Sequence, residues 1–415
     1  MKRRNCSSLC GIGLGVVALA AAMAMAVDWP GYRGPAGDGI TTEKIATHWP
    51  EDGPKVLWTT PLGPSFGSFA IASGKLFIFE ETDDDKEACA RLDPDTGKQL
   101  WSTSIDRAIH DSQGGDGPRS TPTIDGDHVY VLGTYLKLFC LSADDGKIIW
   151  SHDLVKEFGG KVLHWGSASS PLIEGDLVLV DGGGRGSAIV AFNKQTGEVA
   201  WKALDEKYTH ATATSATIDD VHQDIFFMQS GLVSIDPKTG AVLWRQRFPF
   251  ATITAASCAV DGDTVYCSAA YGVGAGAYRI SKDGDKFTST QLWRTPGAEM
   301  NIWSTAVIKD GYVYGLYGFK QLGTAPLKCI ELATGKEMWS KPGFGQGGLI
   351  LVGDNLLVQG DAGQLVLVEA APAGYHALAM THPLAGKCWT MPVVADGRIY
   401  ARSTKEGVCL DVSPR

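Results

Sequence analysis

An eleven-residue pattern recurs along most of this 415-residue chain, and it constrains the fold more than any other feature. Ala191 to Trp201 reads AFNKQTGEVAW. Close variants end at Trp101 (RLDPDTGKQLW), Trp150 (CLSADDGKIIW), Trp244 (SIDPKTGAVLW) and Trp339 (CIELATGKEMW). Glycine stands four residues before tryptophan in all five. The residue six before that glycine is small in four of them, with Arg91 as the exception. An apolar run, a turn of the form Asp/Asn-x-x-Thr-Gly and a short run ending in Trp read as strand, tight turn, strand. Glycine falls where positive φ is needed.

A second hairpin precedes most copies. Ser120–Gly133, Ser169–Gly182 and Ser257–Ala269 each place Asp-Gly or Glu-Gly between alternating apolar runs. Two hairpins make four strands per repeat. The repeating tryptophans are Trp58, Trp101, Trp150, Trp201, Trp244, Trp293 and Trp339, spaced 43 to 51 residues apart. A degraded eighth copy has Leu378 four residues after Gly374. Four-stranded units at this period predict a β-propeller. The last repeat, Cys388–Ser413, has three strands' worth of sequence, and Pro54–Thr60 is an orphan strand carrying Trp58. Placing that strand in the last blade closes the ring and removes two open sheet edges. The expectation is an all-β, eight-bladed β-propeller of four-stranded antiparallel blades over residues 54–415, preceded by a Gly/Pro-rich lead segment over 27–53.

The pattern Ala-x-Asp-x-x-Thr-Gly-x-x-x-Trp resembles the tryptophan-docking motif of the quinoprotein (pyrroloquinoline quinone, PQQ) propeller superfamily, and the resemblance covers Lys55 to Val412. It implies the same fold. The superfamily includes PQQ-dependent alcohol dehydrogenases and non-enzymatic scaffolds such as the assembly lipoprotein of the outer-membrane β-barrel machinery, so fold alone does not decide function. The opening Asp28–Thr41 resembles the N-terminus of secreted PQQ-like repeat proteins.

Residues 1–26 have the form of a signal peptide. Lys2, Arg3 and Arg4 precede an apolar run from Gly11 to Ala22, and Ala24-Met25-Ala26 is a small-residue cleavage site. Cys10 lies ahead of the apolar run and does not form a lipobox. The expected product is a soluble, monomeric protein in the periplasm or outside the cell, without membrane insertion. A net charge of −9 excludes nucleic acid as the expected partner.

Seven cysteines follow the leader. Cys140, Cys329 and Cys409 occupy the small-residue position of the repeat and read as buried fillers. Cys258 and Cys267 flank a hairpin. With Gly262-Asp263 as its turn they face each other in a non-hydrogen-bonded pair, close enough for a disulfide that export permits.

The repeated indoles read as wedges between neighbouring sheets, each N–H finding a partner in the next blade's turn. Acidic runs such as Asp83-Asp84-Asp85 do not complete an alternating calcium loop with a distal Glu, and read as solvated turns. Gly182–Gly186 joins two strands and reads as a flexible hairpin connection, not a phosphate cradle. Function is expected where the innermost strands begin, around the central channel. There the chain places Arg119, His164, Trp165, His210, Asn301, Trp303 and Trp389. Aromatic walls with a few polar groups suit a small-molecule or peptide pocket. A single histidine in such a loop is more often hydrogen-bonded structure than catalyst.

Two functions follow. The favoured one is a non-catalytic exported scaffold that binds a protein, peptide or glycan at its axial face and needs no cofactor. The alternative is a PQQ- and calcium-dependent oxidoreductase acting on an alcohol or sugar. The resemblance implies calcium ligands, a catalytic carboxylate and a cofactor sandwiched by flat surfaces, one of them a disulfide between adjacent cysteines. This chain has no adjacent cysteines and no Cys-x-x-Cys-His haem site, carboxylates are scarce on its axial loops, and no catalytic residue is assigned.

Overall fold

The computed structural model describes residues 27–252, 254–318 and 325–414, so the leader-like segment 1–26 lies outside the described residues. The rest is nearly all strand, arranged as eight separate sheets. The innermost strands, in blade order, are Ala70–Ala72, Thr123–Asp125, Leu172–Glu174, Thr214–Ile218, Ala259–Asp261, Val307–Lys309, Gly348–Val352 and Val393–Ala395. Each opens an antiparallel four-stranded blade. Lys55–Pro61 pairs with Glu406–Asp411 as the outer strand of blade 8, so Trp58 stands opposite Cys409. Ring closure is as the orphan strand required. Among the described residues a single short helix, Leu154–Phe158, interrupts the strands. Gly182–Gly186 does join two strands, Leu177–Asp181 and Ile189–Asn193.

The eleven-residue pattern has a double purpose. In each good copy the glycine has positive φ, and it lies against the tryptophan of the preceding blade. A β-carbon on Gly97 would stand 2.7 Å from the Trp58 ring, and one on Gly240 or Gly335 would stand 2.6 Å from Trp201 or Trp293. The indole N–H then donates to a carbonyl in the same turn: Trp58 to Pro94 at 2.9 Å, Trp150 to Lys194 at 3.1 Å, Trp201 to Pro237 at 3.1 Å and Trp293 to Leu332 at 2.7 Å. A β-bulge one residue before each Trp re-aims it out of the ladder.

The exceptions have local causes. Blade 5 replaces the motif turn with a long hairpin, Gly274–Thr295, and offers Trp244 no such carbonyl. Gln223, buried in Trp244's own blade, accepts its N–H at 2.5 Å instead. In blade 2 the equivalent carbonyl, Ala143 O, lies within 3.5 Å of the Arg91 guanidinium, and the Trp101 N–H has no partner. The one large residue at the small-residue position has taken the indole's acceptor. Blade 7 corrects the reading of the eighth copy. The residue paired like the other tryptophans is Ala379, opposite Leu367, and Leu378 is the bulge. Ile45 of the lead segment belongs to a hydrophobic cluster against which Trp49, Leu378 and Ala379 also pack.

All seven described cysteines are buried free thiols. Cys140, Cys329 and Cys409 are fillers, each opposite a Tyr of the preceding strand. The expected Cys258–Cys267 disulfide is absent. The hairpin register is the expected one, but it ends at Ala259, and Cys258 beyond it interacts with Thr214 of the neighbouring blade.

A belt of hydroxyls links the blades around the axis. Thr121 Oγ1 accepts the Ser68 N–H, Ser170 Oγ the Thr121 N–H and Thr212 Oγ1 the Ser170 N–H. Ser257 Oγ donates to Thr212 O, and Thr305 Oγ1 accepts the Ser257 N–H. These bonds pair backbone groups that each inner strand would otherwise leave buried and unsatisfied.

Candidate functional site

The lead segment closes one end of the channel. Trp29 bridges to Ile71 of blade 1, and Pro30 accepts the Ile124 N–H of blade 2. The chain then crosses the axis. Tyr32 Oη meets Thr305 Oγ1 at 2.9 Å, and buried Arg33 donates to Thr305 O at 3.1 Å and Ala306 O at 2.9 Å in blade 6. Ile40–Thr41 finally adds in parallel to blade 7. The strap is anchored on opposite sides of the ring, so the channel is a cup with Tyr32 in its floor.

The cup has a volume of about 450 Å³, within the range of ligand pockets. Its wall comes from the segments entering the inner strands. Of the seven residues expected there, Arg119, Trp165, His210, Trp303 and Trp389 line it. His164 and Asn301 do not. His164 is exposed beside Trp165, and its carbonyl accepts the His210 Nε2–H at 3.1 Å. Asn301 is buried and shapes its loop, taking its N–H to Ser268 Oγ at 3.0 Å and its amide to Ser304 O.

The aromatic groups form two walls. Trp303 and Trp389 lie 4.4 Å apart, with Phe66 5.5 Å from Trp389. Trp303 is fixed by its N–H on Gln346 O at 2.7 Å. The Lys387 ammonium sits 4.0 Å over Trp389, and the Arg119 guanidinium 5.5 Å over Phe66. The second wall is Trp165 stacked on Tyr271, 6.5 Å apart and within 15° of parallel. Both residues have left-handed backbone, φ +70 and +58. Such strain in two stacked rings persists only where the surroundings hold it.

The polar groups are few and desolvated. Arg119 is held by Gly115 O at 2.7 Å and by Gly117 O. Burial lowers the proton affinity of both Arg119 and Lys387. Burial, with Arg119 nearby, pushes His210 down to about 4, so its imidazole is neutral and its unpartnered Nδ1 is an acceptor. The one carboxylate among the lining residues is Asp361, whose Oδ2 accepts the Gln346 N–H at 3.2 Å.

Sequence reasoning missed Tyr32, Phe66, Tyr271 and Lys387. Phe66 belongs to the first axial loop, ahead of the first complete motif. Tyr271 lies on a different loop, between the second and third strands of blade 5.

A family model described as outer membrane protein assembly factor BamB matches residues 84–315. No curated protein matches the sequence. Among solved structures, the quinohemoprotein alcohol dehydrogenase from Comamonas testosteroni is similar at a TM-score of 0.67 and 13% identity, covering 94% of this chain and 81% of that one. BamB from Moraxella catarrhalis is similar at 0.60 and 16% identity, covering 86% and 97%. A europium-containing methanol dehydrogenase aligns at 0.53 and 11% identity over 92% and 90%. At these identities the likenesses speak to the fold.

Proposed function

The chain belongs to the BamB-type PQQ-repeat propeller family, and from that premise we propose that it is an exported, non-catalytic binding scaffold whose axial cup takes part of a protein, peptide or glycan. The observation that carries this reading is the character of the cup: blind at one end, walled by rings, and almost without acid–base groups. Paired rings offer faces to sugar rings or apolar side chains. The neutral imidazole and desolvated cations supply orientation. A protein partner is also consistent with the description of the family as an assembly factor.

A calcium-held quinone does not fit the donors present. Calcium takes six to eight oxygen ligands, several of them carboxylates. Asp361 is the single carboxylate among the described lining residues and is engaged with backbone. The clusters Glu81–Asp85–His110 and Glu174–His222–Asp224 lie outside the lining. No redox step is therefore derived for this site.

Export is part of the proposal and rests on the leader-like residues 1–26. N-terminal sequencing of the secreted product should begin at Val27. The binding reading is tested by titrating the purified protein with defined peptide and oligosaccharide panels while following tryptophan fluorescence. Saturable change lost in both Trp303→Ala and Trp165→Ala, with the fold retained, is expected. Stoichiometric PQQ uptake with dye-linked alcohol oxidation would overturn the scaffold reading.

A further inference from the structure

Glu81 closes the second strand of blade 1, Lys75–Glu81, on the cup side of the ring. Its carboxylate is nearly enclosed, 8% exposed, yet Oε2 has no partner. The His110 ring stands beside it, with Nε2 3.7 Å from Oε1, too long for a hydrogen bond. Asp85 Oδ1 stands 3.7 Å from the same nitrogen. The three donor atoms lie within 4.8 Å of one another. An ionised carboxylate in such a place is costly without a donor or a cation.

The backbone prepares this arrangement. Asp85 sits in a tight turn with φ +59 and donates its N–H to Thr82 O at 3.1 Å. Its carbonyl accepts the Ala108 N–H at 2.8 Å, which pins the linker to blade 2 beside the turn and delivers His110. On the other side of that ring, Asp116 Oδ1 lies 3.6 Å from Nδ1. A carboxylate behind a histidine is the usual outer partner of a metal-bound imidazole, fixing its tautomer and orientation.

We propose that Glu81, Asp85 and His110 form a binding site for a divalent transition metal, with Zn²⁺ the ion best matched to the donors. One imidazole and two carboxylates suit zinc better than an all-oxygen ion such as calcium. Two carboxylates balance a 2+ charge. Ligands of a tetrahedral zinc at about 2.0–2.1 Å stand about 3.3 Å from each other, so the two 3.7 Å separations between the imidazole and the carboxylates need close by only a few tenths of an ångström. The site gathers residues from a turn and a distant linker, which is why the acidic run Asp83–Asp85 does not read as a metal loop in the sequence. The bound ion staples the 108–117 linker to blade 1. That linker carries Gly114 and leads into Arg119, both in the cup wall.

The second cluster differs. His222 Nε2 already meets Glu174 Oε2 at 2.7 Å, and Ser215 Oγ bonds both Glu174 at 2.7 Å and Asp224 at 2.8 Å. Its ligand atoms are taken up by one another and by Ser215, with Asp224 Oδ2 alone left buried and unpartnered, so it serves as the control. The test is calorimetric titration of the chelator-stripped full-length mature protein with zinc chloride. One equivalent is expected to bind, with affinity falling at least 100-fold in His110→Ala and in Asp85→Asn, and unchanged in His222→Ala. Asp85 is an exposed turn residue, so its variant keeps the fold while losing a ligand. Absence of saturable uptake, uptake unaffected by both His110→Ala and Asp85→Asn, or uptake abolished by His222→Ala would each overturn the assignment.

Discussion

Replacing Gly335 by alanine tests whether the motif glycine is there for its backbone or for its neighbour. Gly335 has φ +76, and a β-carbon there would stand 2.6 Å from Trp293 Cδ2 and 2.7 Å from Cε3. The indole cannot simply withdraw, because its N–H is bound to Leu332 O and the ring is buried beside Tyr266. Left-handed backbone costs an L-residue about 1–2 kcal/mol, and forcing a methyl into a packed contact about 1–3 kcal/mol more. The total is about 2–5 kcal/mol. Gly126 is the matched reference: it has φ +58 in a hairpin, and an added β-carbon would meet nothing within 4 Å. Gly126→Ala should cost only the backbone term, about 1–2 kcal/mol. Urea unfolding of both variants, analysed with a shared slope, should put Gly335→Ala below Gly126→Ala by about 1–3 kcal/mol. Equal losses would show that the indole contact does not select glycine, and the account of the repeat would fall.

Two further perturbations probe polar groups that the fold has buried. Gln223→Leu removes the acceptor of both Trp244 Nε1–H and Ser234 Oγ–H. Two stranded buried donors should cost about 2–4 kcal/mol, part of it recovered in the Gln223→Leu/Trp244→Phe double variant; an additive double variant would refute the link. Burial pushes Glu87 up to about 7 against the pull of its hydrogen bonds from Thr134 and of Arg119. The folded chain thus keeps a proton that the unfolded chain releases above its ordinary carboxyl value, so stability falls as pH rises to about 7 and then levels. Glu87→Gln should remove on the order of 3 kcal/mol of that fall, read as the difference between wild-type and variant denaturation midpoints from pH 4 to 8. Parallel curves would refute it.

What could be read from the sequence follows from which contacts repeat. Glycine and tryptophan recur because every blade meets its neighbour in the same way, and that regularity yields the blade count, the closing strand and the buried cysteines. Where the contact changes, the pattern misleads by small amounts. Blade 7 carries two extra residues before its outer strand, one of them after Gly374, so counting from Gly374 lands on the bulge at Leu378 and not on Ala379. The hydroxyl belt was hidden because Ser and Thr in loops have many ordinary uses, and only the ring geometry shows them one per blade from blade 1 to blade 6.

The cup divides along the same line. Loops entering inner strands can be located by counting, and five of the seven residues named there line the cavity. His164 and Asn301 fail by a single position: each neighbours a lining residue, Trp165 or Ile302, and no spacing rule tells which of two adjacent loop residues faces the axis. The floor could not be read at all, since Tyr32 reaches Thr305 across 273 residues of sequence. That floor matters most to function. An open channel lined by the same rings would pass solvent from both ends and hold a ligand only at its rim. A strap anchored on blades 1, 2, 6 and 7 turns the rings into the walls of a closed recess, where desolvated Arg119 and neutral His210 act at low dielectric. The lead segment, which carries no copy of the repeat, is therefore what makes a blind recess out of a propeller axis.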